Sequence, residues 1–133
     1  MNWTRVLLAT VVGAVAMWLV SFVLHGMLLA ETYIGLPEVF SQEAANPMLF
    51  LFAELLIALP AVIIFAKTRS CWAPGIGGGL SYGFLLGLIG GFSQHFNPLI
   101  FEGFPYSLAW YWFAANVVIT MSLGAVVGLM IKR

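Results

Sequence analysis

The chain has 133 residues, of which 62% are hydrophobic and only 8% charged, with five basic residues balancing five acidic ones. Such a composition excludes a soluble globular domain and gives no basic surface for nucleic acid, so an integral membrane protein with the lipid bilayer as its first partner is expected. A lone cysteine, Cys71, forms no internal disulfide and belongs to no CxxC pair, which excludes thiol redox chemistry and a cysteine-based metal site.

A membrane span needs about 20 apolar residues to cross about 30 Å of hydrocarbon, so this length accommodates four spans and nothing more. The expected fold is therefore all-α: one domain over residues 1–133, an integral membrane bundle of four transmembrane helices. Span one runs from about Val6 to Leu29 and lacks a small-residue cleavage site near Ala30, which reads as a retained helix rather than a removable signal. Ala9 and Gly13 give it a small-residue face. A longer polar connection, Ala30 to Asn46, follows. Span two covers 47–66: Asn46 can cap the free N–H groups at its start, and Pro47 supplies the preset first helical φ. Pro60, inside it, is expected to kink the helix and free the Leu56 carbonyl.

Span three covers 74–96 and carries the most unusual pattern in the chain. Gly75, Gly79, Gly83, Gly87 and Gly91 recur at every fourth residue. Each glycine costs about 1 kcal/mol relative to alanine in a helix interior, so the repeat needs a compensating contact. In a bilayer that contact is close packing of helix backbones through small residues. Span four, 106–131, offers Thr120, Gly124 and Gly128 at the same spacing, and Ala9 and Gly13 of span one are further expected partners. The cluster Gly75, Gly77, Gly78 and Gly79 is no phosphate cradle, since no strand precedes it and no Gly-Lys-Ser/Thr follows.

Charge placement orients the bundle. Arg5, Lys67, Arg69, Lys132 and Arg133 all fall on one side of the four spans, whereas Glu31, Glu38, Glu43 and Glu102 fall on the other. By the positive-inside bias both termini are cytoplasmic. Trp3 and Trp72 suit the inner interface, and Tyr106, Trp110 and Tyr111 the outer one.

Four side chains in or at the edge of the apolar zone can carry chemistry. Glu54 lies 13 residues before Lys67, about 20 Å along the helix from the inner boundary. A carboxyl at that depth costs about 2.5–3.5 kcal/mol on insertion scales, so it either serves a proton or cation relay with Asn116 or stays neutral, hydrogen-bonded to Asn116 or to the carbonyl freed by Pro60. His25 and His95 lie at a common outer level on spans one and three. As a pair they can ligate haem iron or, singly, chlorophyll magnesium. The simpler reading is that both snorkel to water at the interface. No metal-ligand cluster at helical spacing and no nucleophile with a partnered base is present, so no enzyme activity is expected.

The short basic N-terminus, His25-Gly26-Met27-Leu28-Leu29 closing span one, Asn46-Pro47-Met48-Leu49-Phe50 opening span two, and Gly124 to Gly128 before a basic tail are together similar to a group of small four-span bacterial membrane proteins of unknown function. The resemblance implies a multi-pass protein of the bacterial inner membrane and brings no activity with it. Three functional readings follow. The first is a non-catalytic accessory subunit that packs through the glycine face against a larger energy-transducing (photosynthetic or respiratory) or transport complex, or against copies of itself. The second is a small oligomeric transporter or channel using Glu54. The third is a haem- or chlorophyll-binding subunit using His25 and His95.

The orientation is directly measurable. Reporters fused at Arg133 and inserted between Lys67 and Arg69 are expected to read cytoplasmic, and one near Glu38 external; an external reading at the C-terminus overturns the four-span topology.

Overall fold

A computed structural model describes residues 1–41 and 45–132; Glu43 of the acidic loop and Arg133 of the basic tail lie outside the described residues. Among these residues the chain is helical without a strand. Helix α1 (Trp3–Ser21) continues into a π-helical turn, Phe22–Leu28; a short helix α2 (Ala30–Ile34) follows, then α3 (Pro47–Lys67), α4 (Gly75–His95) and α5 (Tyr106–Met130). Short 3₁₀ turns, Arg69–Cys71 and Asn97–Ile100, flank α4. The four long segments span 26, 21, 26 and 25 residues, and each is long and apolar enough to cross a membrane. Of the described charged residues, Arg5, Lys67, Arg69 and Lys132 lie at one end of the four long segments, called here the basic end, and Glu31, Glu38 and Glu102 at the other, the acidic end, while Glu54 lies in the interior of α3.

Helix starts follow local chemistry. The Asn46 side chain accepts from the Met48 backbone N–H at 3.0 Å with Pro47 in the first helical position, as its sequence implies, and Asn2 caps α1 in the same way by accepting from Arg5 N–H at 3.1 Å. Helix α3 runs through Pro60 as one continuous α-helix. Helix α2 occupies part of the connection that the sequence left as loop.

The long helices pack in the order α3, α1, α5, α4, with α1 against both α3 and α5, and α5 against both α1 and α4. Met17 and Val6 of α1, Phe65 and Val62 of α3, and Leu123 and Val127 of α5 are fully buried where the first three helices meet. The α4–α5 contact is of another kind. A methyl group placed on Gly79 would overlap the Gly124 carbonyl and meet Gly128 Cα at 2.8 Å; one on Gly83 would meet Met121 Cα at 2.8 Å; one on Gly87 would meet Val117 Cα at 2.6 Å. Each turn climbed on α4 thus meets one turn lower on α5, backbone against backbone, and the reciprocal positions Gly124 and Gly128 are equally closed by Gly79 and Gly83. At Gly91 the facing group is the Phe113 ring.

Two expected contacts differ. Gly75 has φ +72° with open space where its side chain would be; its carbonyl, not a bare face, lies against Gly128, and its conformational freedom serves the entry to α4. Gly13 faces Leu123 and Val126 of α5 rather than α4, because α5 stands between the two helices.

Replacing Gly83 with leucine is expected to cost about 3 kcal/mol or more, since the obstruction is backbone and cannot turn aside. Gly77→Ala, at a helical position with nothing within 4 Å, is expected to be neutral or to gain up to about 1 kcal/mol. Unfolding of the detergent-solubilised chain checks both; a Gly83→Leu protein as stable as the parent rules out the backbone contact.

Candidate functional site

Because the glycine face draws α4 onto α5, α3 and α4 have little direct contact. They meet near the basic end, where the Tyr82 hydroxyl of α4 donates to the Ala61 carbonyl of α3 at 2.5 Å and the rings of Phe65, Trp72 and Tyr82 cluster with centroids 5.0 to 6.4 Å apart. Arg69 closes this end. Only 7% exposed, it donates from Nε to the Ile131 carbonyl at 2.8 Å and from a terminal nitrogen to the Trp72 and Ala73 carbonyls at 3.0 and 3.2 Å, with its guanidinium carbon 5.3 Å from the Phe65 ring centroid.

Toward the acidic end the two helices leave a cavity of about 820 Å³. One face of α3 (Pro47, Phe50, Glu54, Ile57) and the last turns of α4 (Gly90, Gly91, Gln94, His95) form its sides. The back wall comes from α1 and the π-helical turn that continues it, including Met17, Trp18 and His25, and from α5, including Trp112, Phe113 and Asn116. All four side chains singled out in the sequence, His25, Glu54, His95 and Asn116, therefore line one space. That juxtaposition comes from the packing of four helices.

Glu54 is half-buried on this wall, and among the described residues its carboxyl has no hydrogen-bond partner. The expected bonds to Asn116 or to a carbonyl released by Pro60 are not made. Asn116 instead donates from Nδ2 to the Gly87 carbonyl at 3.0 Å, tying α5 to the glycine face.

His25 rides on the π-helical turn, in which the Leu29 N–H reaches back to the Leu24 carbonyl at 3.0 Å. Such insertions widen a helix and are frequent at functional sites. Its Nδ1 lies 2.6 Å from the Tyr33 hydroxyl, which also accepts from Trp112 Nε1–H at 2.8 Å. Burial raises the Tyr33 hydroxyl above the ordinary tyrosine range, against a smaller opposite effect of the Trp112 bond, so the phenol keeps its proton at neutral pH. Indole N–H only donates, so for a neutral imidazole the Tyr33 proton goes to His25 Nδ1 and the ring hydrogen sits on Nε2, a donor on the cavity wall. Phe40 packs on Tyr33 and Trp112 at 4.9 and 6.0 Å and extends an aromatic roof over the acidic end.

His95 does not snorkel to water: it is 3% exposed. Its Nε2 meets the Tyr106 hydroxyl at 2.7 Å, the Trp110 ring stands 4.2 Å away edge to face, and its buried Nδ1 has no partner. Each imidazole thus spends one nitrogen on a tyrosine hydroxyl, which leaves any ligation of haem iron or chlorophyll magnesium to the other. No group of three or more His, Cys, Asp or Glu side chains among the described residues can hold a metal ion. Tyr33, Trp112, Tyr106 and Arg69 are contributors that sequence reasoning missed. The first three have only aromatic anchoring as a sequence signal, and Arg69 only the orienting charge.

Comparison with protein-family models, with curated proteins and with solved structures finds no match to this chain.

Tyr33→Phe leaves both Trp112 Nε1 and His25 Nδ1 without a partner and is expected to cost about 1–3 kcal/mol, whereas Trp112→Phe, which removes one donor and keeps a ring, costs about 1 kcal/mol. The double variant is expected to lose less than the sum, measured by denaturation in micelles; full additivity rules out the shared hydroxyl.

Proposed function

We propose that this protein is a small membrane-embedded binding protein, of carrier type, that holds a small amphipathic ligand in the acidic-end cavity. The observation that carries this reading is the Glu54 carboxyl, without a partner among the described residues, on the wall of a cavity of about 820 Å³, within the usual range for a drug-sized ligand, roughly 300–1,000 Å³. An ionisable group deep in a transmembrane helix is costly, and where it faces a cavity it is a functional candidate. The rest of the lining fits this use: apolar and aromatic rings for a ligand body, a few polar groups (Glu54, Asn116, His25, Gln94) for a head group. The divergence of α3 from α4 gives a lateral mouth through which a molecule dissolved in lipid reaches the cavity without crossing water.

The reading as an accessory subunit drew on the glycine face of α4. That face is occupied by α5 over Gly79, Gly83 and Gly87, so it is not available to hold a partner. A transport role for Glu54 is compatible with the cavity, with the sealed basic end standing as the closed side of the path.

Ligand binding stabilises the folded chain by mass action, about 2.7 kcal/mol at a ligand concentration of 100 times Kd. A saturable rise of several degrees in Tm is expected when micelle-purified protein is titrated with small cationic, neutral and anionic amphiphiles, for at least one charge type. Filling the mouth from both sides with Ile57→Trp and Gln94→Trp, at exposed positions, is expected to abolish the rise while leaving the ligand-free Tm near that of the parent. A panel without any saturable rise, or one undiminished by the filled mouth, overturns the reading.

A further inference from the structure

We propose that the ligand of this cavity is an organic cation with an apolar body, that Glu54 is its counter-charge, and that the carboxyl gives up its proton as the cation enters. The inference rests on the cavity being a binding site and adds the sign and chemistry of what it takes.

The charge distribution carries the argument. Among the described residues, Glu54 is the one carboxylate on the cavity lining, and no lysine or arginine contributes to it. The four described basic residues, Arg5, Lys67, Arg69 and Lys132, all lie at the basic end, whereas Glu31, Glu38 and Glu102 stand exposed at the acidic end, and Glu38 and Glu102 share a recess there. Negative charge exposed at one end of the bundle draws counter-ions, here cations, to that end, which is the end where the cavity lies. An anion would meet no lysine or arginine among the described cavity residues and would be repelled by the carboxylates at that end of the bundle. A neutral amphiphile would gain nothing from the exposed carboxylates at that end.

The walls match a cation in a second way. Trp18, Phe50, Trp112 and Phe113 line the same cavity as Glu54, and aromatic faces attract a cation that has left water while also packing its apolar substituents. A quaternary or bulky tertiary centre suits such a lining, since rings hold it by its charge and area rather than by directed hydrogen bonds. Without a ligand no lysine or arginine among the described residues lines the cavity with Glu54, and a bare carboxylate in a transmembrane helix is costly, so the carboxyl carries its proton. On binding, the O–H bond breaks, the proton leaves to water, and the ligand's positive charge replaces it beside the carboxylate. Net charge in the cavity then changes only from neutral acid to neutral ion pair. The other titratable side chains on the walls, among the described residues, are His25 from the π-helical turn, Tyr33 from α2 and His95 from α4, and protonation of either imidazole also opposes a cation.

Tetraphenylphosphonium, its anionic counterpart tetraphenylborate and a neutral tetraphenyl compound have nearly one shape and three charges. Equilibrium binding to the full chain in neutral-lipid nanodiscs is expected to show saturable uptake of the cation alone. About one proton is released per cation bound, and affinity falls about tenfold for each pH unit below the titration of free Glu54. Glu54→Gln is expected to weaken binding at least about tenfold and remove the proton release, leaving only the shallower pH dependence due to the histidines. Glu54→Asp, which keeps the carboxyl, is expected to retain both and guards against a loss that reflects misfolding of the glutamine variant. Equal binding of the neutral or anionic probe overturns the cation inference and leaves the cavity as a site. Cation binding that Glu54→Gln does not alter overturns the role of Glu54. If none of the three probes binds, both this inference and the binding function on which it rests fail.

Discussion

Backbone contact between α4 and α5 is the constraint on which the rest depends. Gly79, Gly83 and Gly87 let α4 approach until its backbone lies against the carbonyls and Cα atoms of α5, and no side chain on α4 has room at those three positions. Having been drawn to α5, α4 cannot also cover α3. A four-helix bundle with evenly sized side chains would close around a central core. Here α4 is pulled tight onto α5 and away from α3, and the space left between α3 and α4 becomes the cavity. The glycines thus act on the site without contributing functional groups to it, apart from Gly90 and Gly91 on its wall.

The two ends of the α3–α4 pair are finished differently. At the basic end, Tyr82 bridges to the Ala61 carbonyl, three rings fill the gap, and Arg69 satisfies carbonyls that α5 and the turn before α4 would otherwise leave exposed. At the acidic end the closure is a roof rather than a plug. Tyr33, Phe40 and Trp112 pack over the space, and the one hydroxyl shared by His25 and Trp112 fixes the imidazole tautomer. An asymmetric finish of this sort gives the cavity a direction along the bundle.

Much of this architecture is legible in the sequence, and what is not has identifiable causes. Span limits follow from hydropathy and from local signals such as Asn46-Pro47, and the structure reproduces them within a few residues because those signals act within one helix. The glycine spacing identifies a packing face, but not its partner: Thr120, Gly124 and Ala9, Gly13 carry similar spacing, and only helix order puts α5 rather than α1 opposite it. Depth along a helix is readable at 1.5 Å per residue, which is how Glu54, His25 and His95 stand out. Rotation about the axis is much less so, because helices apolar on all sides lack the amphipathic stripe that would fix it. For that reason the convergence of four polar side chains on one space, the π-helical turn that presents His25, and the partners Tyr33 and Tyr106 emerge only from the packed chain.

Arg69 has a consequence for the outside of the molecule. Its sequence position makes it a surface cation, yet folding covers it to 7% exposure beneath three carbonyls and beside a ring. Of the described basic residues, Arg5, Lys67 and Lys132 remain exposed. Attraction to anionic lipid headgroups is worth about 1 kcal/mol per basic side chain near the surface, so the folded protein holds such headgroups less strongly than a count of its lysines and arginines implies. The unfolded chain in the same membrane still has that arginine to offer, and anionic lipid accordingly favours the folded state less than neutral bookkeeping of surface charge would suggest.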